Sequence, residues 1–160
     1  MEAVRLDDIC GALEEGSVEL RGRAWSVRAA PAAVTDAIEH QLTEPRVPRV
    51  VVNASGDSRE NRADPDYRRA LRKWKARKFA LHAAYALNIA GPDGKPWDES
   101  RDEAWCVKIA DALLERFSAG EIDEVCVVSY QLVRGAAPSQ AIGAVIGDEK
   151  KADSSSAPPP

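Results

Sequence analysis

The chain carries few of the side chains that enzymes and metal sites depend on. Of 160 residues, two are histidine (His40, His82) and three are cysteine (Cys10, Cys106, Cys126). The cysteines are odd in number, far apart and form no C-x-x-C pair. Neither a zinc site nor a disulfide framework is indicated, and free thiols in a reducing cytoplasm are expected. Glu39 and Glu44 lie near His40, but their spacing fits no zinc motif. Both histidines are read as surface or satisfied core residues. Cys126 sits in the apolar run 125–128 and is read as a buried, inert thiol. Gly-x-Gly turns, Walker-type phosphate loops and the G-x-S-x-G elbow are missing. No enzyme, cofactor or metal is therefore expected.

Long hydrophobic runs are also missing. The longest, residues 79–90, is interrupted by His82 and Asn88 and is too short to span a bilayer. The opening MEAVRLDDIC has no basic stretch followed by an apolar one, so no signal peptide is expected, and the Asn53-Ala54-Ser55 sequon then carries no meaning. Nor is there an overall excess of positive charge. The formal net charge is −4, unlike a protein built as a whole around nucleic acid. No internal repeat is visible.

What remains is the composition of one soluble globular domain, with 44% hydrophobic and 30% charged residues. Its organising stretch is residues 64–90, DPDYRRALRKWKARKFALHAAYALNIA. Asp64 can cap a helix, and Pro65 suits the first helical position. Tyr67, Leu71, Trp74, Leu81 and Tyr85 form one stripe, with Lys78 filling its gap by laying its methylenes along it. Gly91-Pro92 is the expected stop. Arg68, Arg69, Arg72, Lys73, Lys75, Arg77 and Lys78 crowd the first half, and the second half is nearly uncharged. The helix should start basic and partly exposed and end buried.

Around it, residues 6–14 suggest a short helix, and residues 17–28 a hairpin turning at Arg21-Gly22. A helix opened by Pro31 runs to Leu42. Pro45 and Pro48 then bar a helix, and Val50-Val51-Val52 favours one edge strand leading into a polar loop, residues 53–62. After a Gly/Pro loop, Ser100 with Glu103 has capping-box spacing before a helix to Phe117, and Ser118 with Glu121 repeats it. Residues 125–128 are strand-like by propensity, but the cap and the length favour a helix to Gly135. Pro138 suggests a last short helix to Ile146. The fold class is mainly α, or small α+β, with four to five helices, an N-terminal hairpin and room for an extra edge strand. Residues 1–146 are read as one domain and 147–160 as a disordered tail.

The acidic pairs Asp7/Asp8 and Asp64/Asp66 and the cluster Glu121/Asp123/Glu124 fall at predicted helix starts, where carboxylates satisfy free N–H groups without a metal. The basic half-helix has three readings: a solvated face, a docking surface for an acidic protein, or a contact for nucleic-acid phosphates. The candidate partner-binding residues are Arg68, Arg69, Arg72, Lys75, Lys78 and Trp97, the last expected to be exposed in its Pro-rich loop.

In order of parts and in local phrases, the chain resembles the tail assembly chaperones of long-tailed bacteriophages over residues 17–135. The phrases are SVELRGRAWSVRA, PRVPRVVV, ENRADPDYRRALRKWKARK and FSAGEIDEVCVVSYQLVRG. The resemblance implies a mostly helical, self-associating protein of the bacterial host cytoplasm, with no enzymatic activity. Its client would be the tape measure protein, a very long helical protein, or another tail protein, during tail morphogenesis. It also implies a longer form made by frameshifting, with Glu149-Lys150-Lys151 as the place where an A-rich run would be encoded. The alternatives are a structural virion protein of the neck or tail, or a small nucleic-acid-binding module using the face from Arg68 to Lys78.

Overall fold

The computed structural model describes residues 15–134. The suggested helices at 6–14 and 138–146, the tail at 147–160, and with them the domain limits, lie outside the described residues. Four helices account for about half of these described residues, and two separate two-stranded antiparallel sheets accompany them, giving a mainly helical α+β fold.

Strands β1 (Gly16–Leu20) and β2 (Arg23–Val27) form the expected hairpin, in register from Gly16 opposite Val27 to Leu20 opposite Arg23. Arg21 and Gly22 both have positive φ, 52° and 71°. That is the backbone of a two-residue turn whose twist matches its strands. Val18, Leu20 and Val27 are buried while their neighbours Ser17, Glu19 and Ser26 face water. Gly16 lies so close to the last helix that an added Cβ would sit 3.0 Å from Val128 Cγ1.

Helix α1 (Ala32–Gln41) begins after Pro31 and buries Ile38, with Leu42 following it into the core. The next segment corrects the expectation of one lone edge strand and a loop. Strand β3 (Arg49–Val51) pairs with β4 (Ser58–Glu60), making a second hairpin around Gly56, which has φ 84°. Ser58-Arg59-Glu60 has no apolar residue to announce a strand. Val52 N–H donates to Asp57 O at 2.8 Å and Asn61 N–H to Pro48 O at 2.7 Å, so backbone bonding holds the hairpin together.

Helix α2 (Pro65–Ala86) starts as expected, with Asp64 Oδ1 accepting from Tyr67 N–H at 2.9 Å. It ends before Gly91. Asn88 takes the left-handed conformation (φ 52°), Ile89 N–H reaches Ala84 O and Asn88 N–H reaches Tyr85 O. This is the Schellman ending, with Asn in the place glycine usually fills. Its buried residues, Ala80, Leu81, Ala83, Ala84 and Ala86, all lie in the last seven positions. Small side chains there let α3 (Glu103–Arg116) and α4 (Ala119–Val133) pack close against α2.

Asp102, rather than Ser100, caps α3, accepting from Trp105 N–H at 2.7 Å. Ser100 instead hydrogen-bonds the Asp98 carboxylate. At α4 the Ser118–Glu121 capping box is complete in both directions. Residues 125–128 are helical, with Val125 and Val128 turned into the core. Arg28 joins the hairpin to this core: its N–H bonds Ala86 O, its Nε–H donates to Tyr85 O at 2.7 Å, and its guanidinium lies 3.9 Å from the Tyr85 ring centre.

Candidate binding surfaces

The basic start of α2 stands clear of the core, and the six expected contact residues divide. Arg68, Arg69, Arg72 and Lys75 are exposed. Arg69 is paired with Asp66 across one turn at 3.5 Å, and Arg68 Nε–H donates to Arg62 O. Arg72 and Lys75 have no ion pair among the described residues.

Lys78 and Trp97 do not belong to that surface. The Lys78 side chain is 18% exposed, its Nζ 3.1 Å from Glu39 Oε1 and 4.5 Å from the Trp74 ring centre, so its charge is spent within the molecule. Trp97, expected to be exposed, is 6% exposed. Its Nε1–H donates to Gln41 Oε1 at 2.6 Å and its ring meets Tyr85 edge to face at 5.3 Å. The same Gln41 amide donates to the carbonyls of Asp98, Glu99 and Arg101. An indole N–H needs an acceptor when buried, and a glutamine 56 residues away supplies it. Trp74 is half-buried, its Nε1–H donating to Leu42 O at 3.1 Å.

The second surface joins the end of α2 to the outer side of α4. Phe79 (52% exposed), Val127 (46%), Tyr130 (59%) and Val133 (47%) leave large apolar area in water. Positions 127, 130 and 133 follow one another around the outer face of α4, the spacing of a stripe that elsewhere would be core. Beside them runs a groove of about 550 Å³ whose walls include Phe79, His82, Cys126 and Tyr130. Its ends differ in charge, with Asp123 at one and Arg134 at the other, and the Arg134 guanidinium lies 5.1 Å from the Tyr130 ring centre.

His82 and Cys126 line this groove without reactive character. Burial, reinforced by the Lys78 ammonium, holds the imidazole pKa below its ordinary value, so the ring is neutral. Burial pushes the Cys126 thiol up to about 12, and its Sγ–H faces Phe79 O at 3.5 Å. A thiol in that state is no nucleophile at neutral pH. Among the described residues, no three His, Cys, Asp or Glu side chains are grouped to hold a metal. Nor is any helix long and apolar enough to cross a membrane. The α4 half of this surface is not singled out from the sequence, where residues 125–128 are weighed only as helix against strand. Only the path of α2 and the hairpin shows that nothing described covers Val127, Tyr130 and Val133.

Compared with known proteins, the chain matches no family model, no curated sequence and no solved structure.

Proposed function

We propose that the protein is a non-enzymatic assembly factor that holds an amphipathic helix of a client protein against the Phe79–Tyr130 face. In the terms of the sequence resemblance, it is a phage tail assembly chaperone with the tape measure protein as client. The observation that carries this reading is the set of exposed apolar side chains Phe79, Val127 and Tyr130 around one groove, with Val133 exposed further along α4. Apolar patches of this kind on a soluble fold mark binding sites, and a groove with charged ends suits a helix laid along it. Covering these half-exposed side chains would contribute about 1 kcal/mol each, enough together to hold a client without locking it.

The test is co-expression with the tape measure protein of a phage genome that encodes this chain. The client should stay in the supernatant with the native chain and precipitate with a Phe79→Asp, Tyr130→Asp variant. A client that stays in solution equally well with that variant removes the reading. A virion component would be found in purified particles, whereas an assembly factor is absent from them.

A second reading, nucleic-acid binding by α2, draws on Arg72 and Lys75, exposed and without ion pairs among the described residues. Replacing Arg68, Arg72 and Lys75 by Glu should abolish binding to a DNA duplex, and native binding should weaken steeply between low and moderate salt.

A further inference from the structure

A second groove, of about 620 Å³, shares no lining residue with the one at the α2–α4 face. The turn of the first hairpin, the loop after α2 and the outer face of α3 enclose it. Its floor is apolar, with Leu20, Trp25, Ile109 and Leu113 among its walls. Its rim carries Arg21, Arg23, Lys108 and Arg116, and no described Asp or Glu lines it. In a chain with a net charge of −4, an all-cationic rim is a local inversion.

Arg21 is committed elsewhere. It pairs with Glu121 at 3.1 Å and its guanidinium lies 5.5 Å from the Phe117 ring centre. Arg23, Lys108 and Arg116 are exposed and have no ion pair among the described residues. Lys108, Ala112 and Arg116 are four residues apart and form one stripe along α3, charged at both ends and small in the middle. Helical rise separates the two charges by about 12 Å, the length of three to four residues of extended chain. On the floor, the Trp25 indole Nε1–H is buried and donates to nothing. A buried donor without an acceptor is costly, and a small shift of the ring that opened it to a ligand carbonyl or carboxylate in the groove would remove that cost.

We propose that this groove binds an acidic peptide segment of a partner protein. An apolar anchor side chain fills the space over Ala112, and carboxylates about three to four residues apart meet Lys108 and Arg116. Charge complementarity selects the acidic flanks, and the aliphatic floor selects the anchor. A nucleic-acid strand fits less well, because bases bind such sites by stacking on open aromatic faces. Here Phe117 lies against the Arg21 guanidinium, and Trp25 meets Phe117 edge to face at 6.0 Å. The proposal does not rest on the client-helix reading, since the two grooves share no residue.

The experiment is selection of a random displayed peptide library on the immobilised full chain, followed by fluorescence anisotropy with the recovered peptides. Recovered sequences should carry two or more Asp or Glu around one large apolar residue. Their affinity should fall at least tenfold on Lys108→Glu, Arg116→Glu or on replacing the anchor by Ser, and several-fold on Trp25→Phe. Lys108→Gln and Arg116→Gln, which keep a similar shape, should give smaller losses in the same direction. Phe79→Asp should leave the affinity unchanged. The proposal is overturned if the library yields basic or uncharged sequences, or no binder. It is equally overturned if a single-stranded oligonucleotide binds this rim as tightly as the best peptide. A Lys108→Glu, Arg116→Glu variant that changes the sedimentation of the chain alone would make a second copy the occupant, and would overturn it too.

Discussion

Arg77 and Asp111 meet across the α2–α3 seam in a two-pronged ion pair, Nε to Oδ1 at 2.7 Å and Nη2 to Oδ2 at 2.6 Å. The hydrogen bonds to Arg77 hold the Asp111 carboxyl below its ordinary pKa, and those to Asp111 raise that of the guanidinium. The Arg77 and Asp111 side chains are 22% and 39% exposed, so solvent screens part of the interaction. Asp111→Asn or Arg77→Ala should cost about 1–2 kcal/mol in urea unfolding. A carboxyl with a depressed folded pKa contributes stability above its unfolded value, and that contribution is lost as pH falls through the folded value. Asp111→Asn should therefore flatten the loss of stability below about pH 4, where an unperturbed aspartate titrates. An unchanged acid limb would show the pair to be energetically silent.

Trp97 anchors the loop between α2 and α3 through Gln41. Trp97→Ala should cost about 3–5 kcal/mol, the range for removing a buried aromatic. Trp97→Phe keeps most of the packing but leaves the Gln41 oxygen only the weak Cys106 Sγ–H donor at 3.6 Å, and should cost about 1–2 kcal/mol. Urea melts of the two variants separate the terms. Equal losses would mean that the hydrogen bond dominates the packing.

Gly91 is fixed by a ring. A Cβ there would lie 2.3 Å from Trp105 Cζ2, a distance no packing tolerates. Gly91→Ala should destabilise by about 1–3 kcal/mol through overpacking. Trp105→Leu alone should also destabilise, but in the double variant the cost of the alanine should shrink. A double-mutant cycle with no coupling would place the strain elsewhere.

The two described thiols should be inert. Burial pushes Cys106 to about 11 and Cys126 to about 12. In a Cys10→Ser variant, neither should react with a thiol reagent at pH 8 faster than the protein opens, and both should react in urea. Fast labelling of Cys126 in buffer would mean that the thiol ionises more readily than its surroundings at the wall of the α2–α4 groove imply.

Where the sequence was a good guide, the determinants were local. Asp64-Pro65 and Ser118–Glu121 fix two helix starts within four residues. The alternation around Arg21-Gly22 fixes the first hairpin, and the charge gradient along α2 matches the gradient of burial. It misled where a residue's fate depends on a distant partner. Trp97 is buried because Gln41 waits for its N–H, which no window around Pro96 could reveal. Asp102 outcompetes Ser100 as a cap by two residues, a margin finer than spacing rules resolve. Strand β4 has no apolar residue and exists because β3 pairs with it. The cationic rim is assembled from the hairpin turn and α3, some 85 residues apart from Arg23 to Lys108, so no run of charge betrays it.

The β3–β4 ribbon has one further consequence. All six of its strand residues face solvent, and Val51 is 70% exposed. With so little apolar area sequestered, its opening should cost far less than global melting. Its amides should exchange with deuterium early, while those of Ala80 to Ala86 stay protected. Among the described residues, trypsin, offered Arg46, Arg49, Arg59 and Arg62, should cut the native chain there first. The two fragments would remain together, because α1 on one side of the cut and α2 on the other are held by the same core.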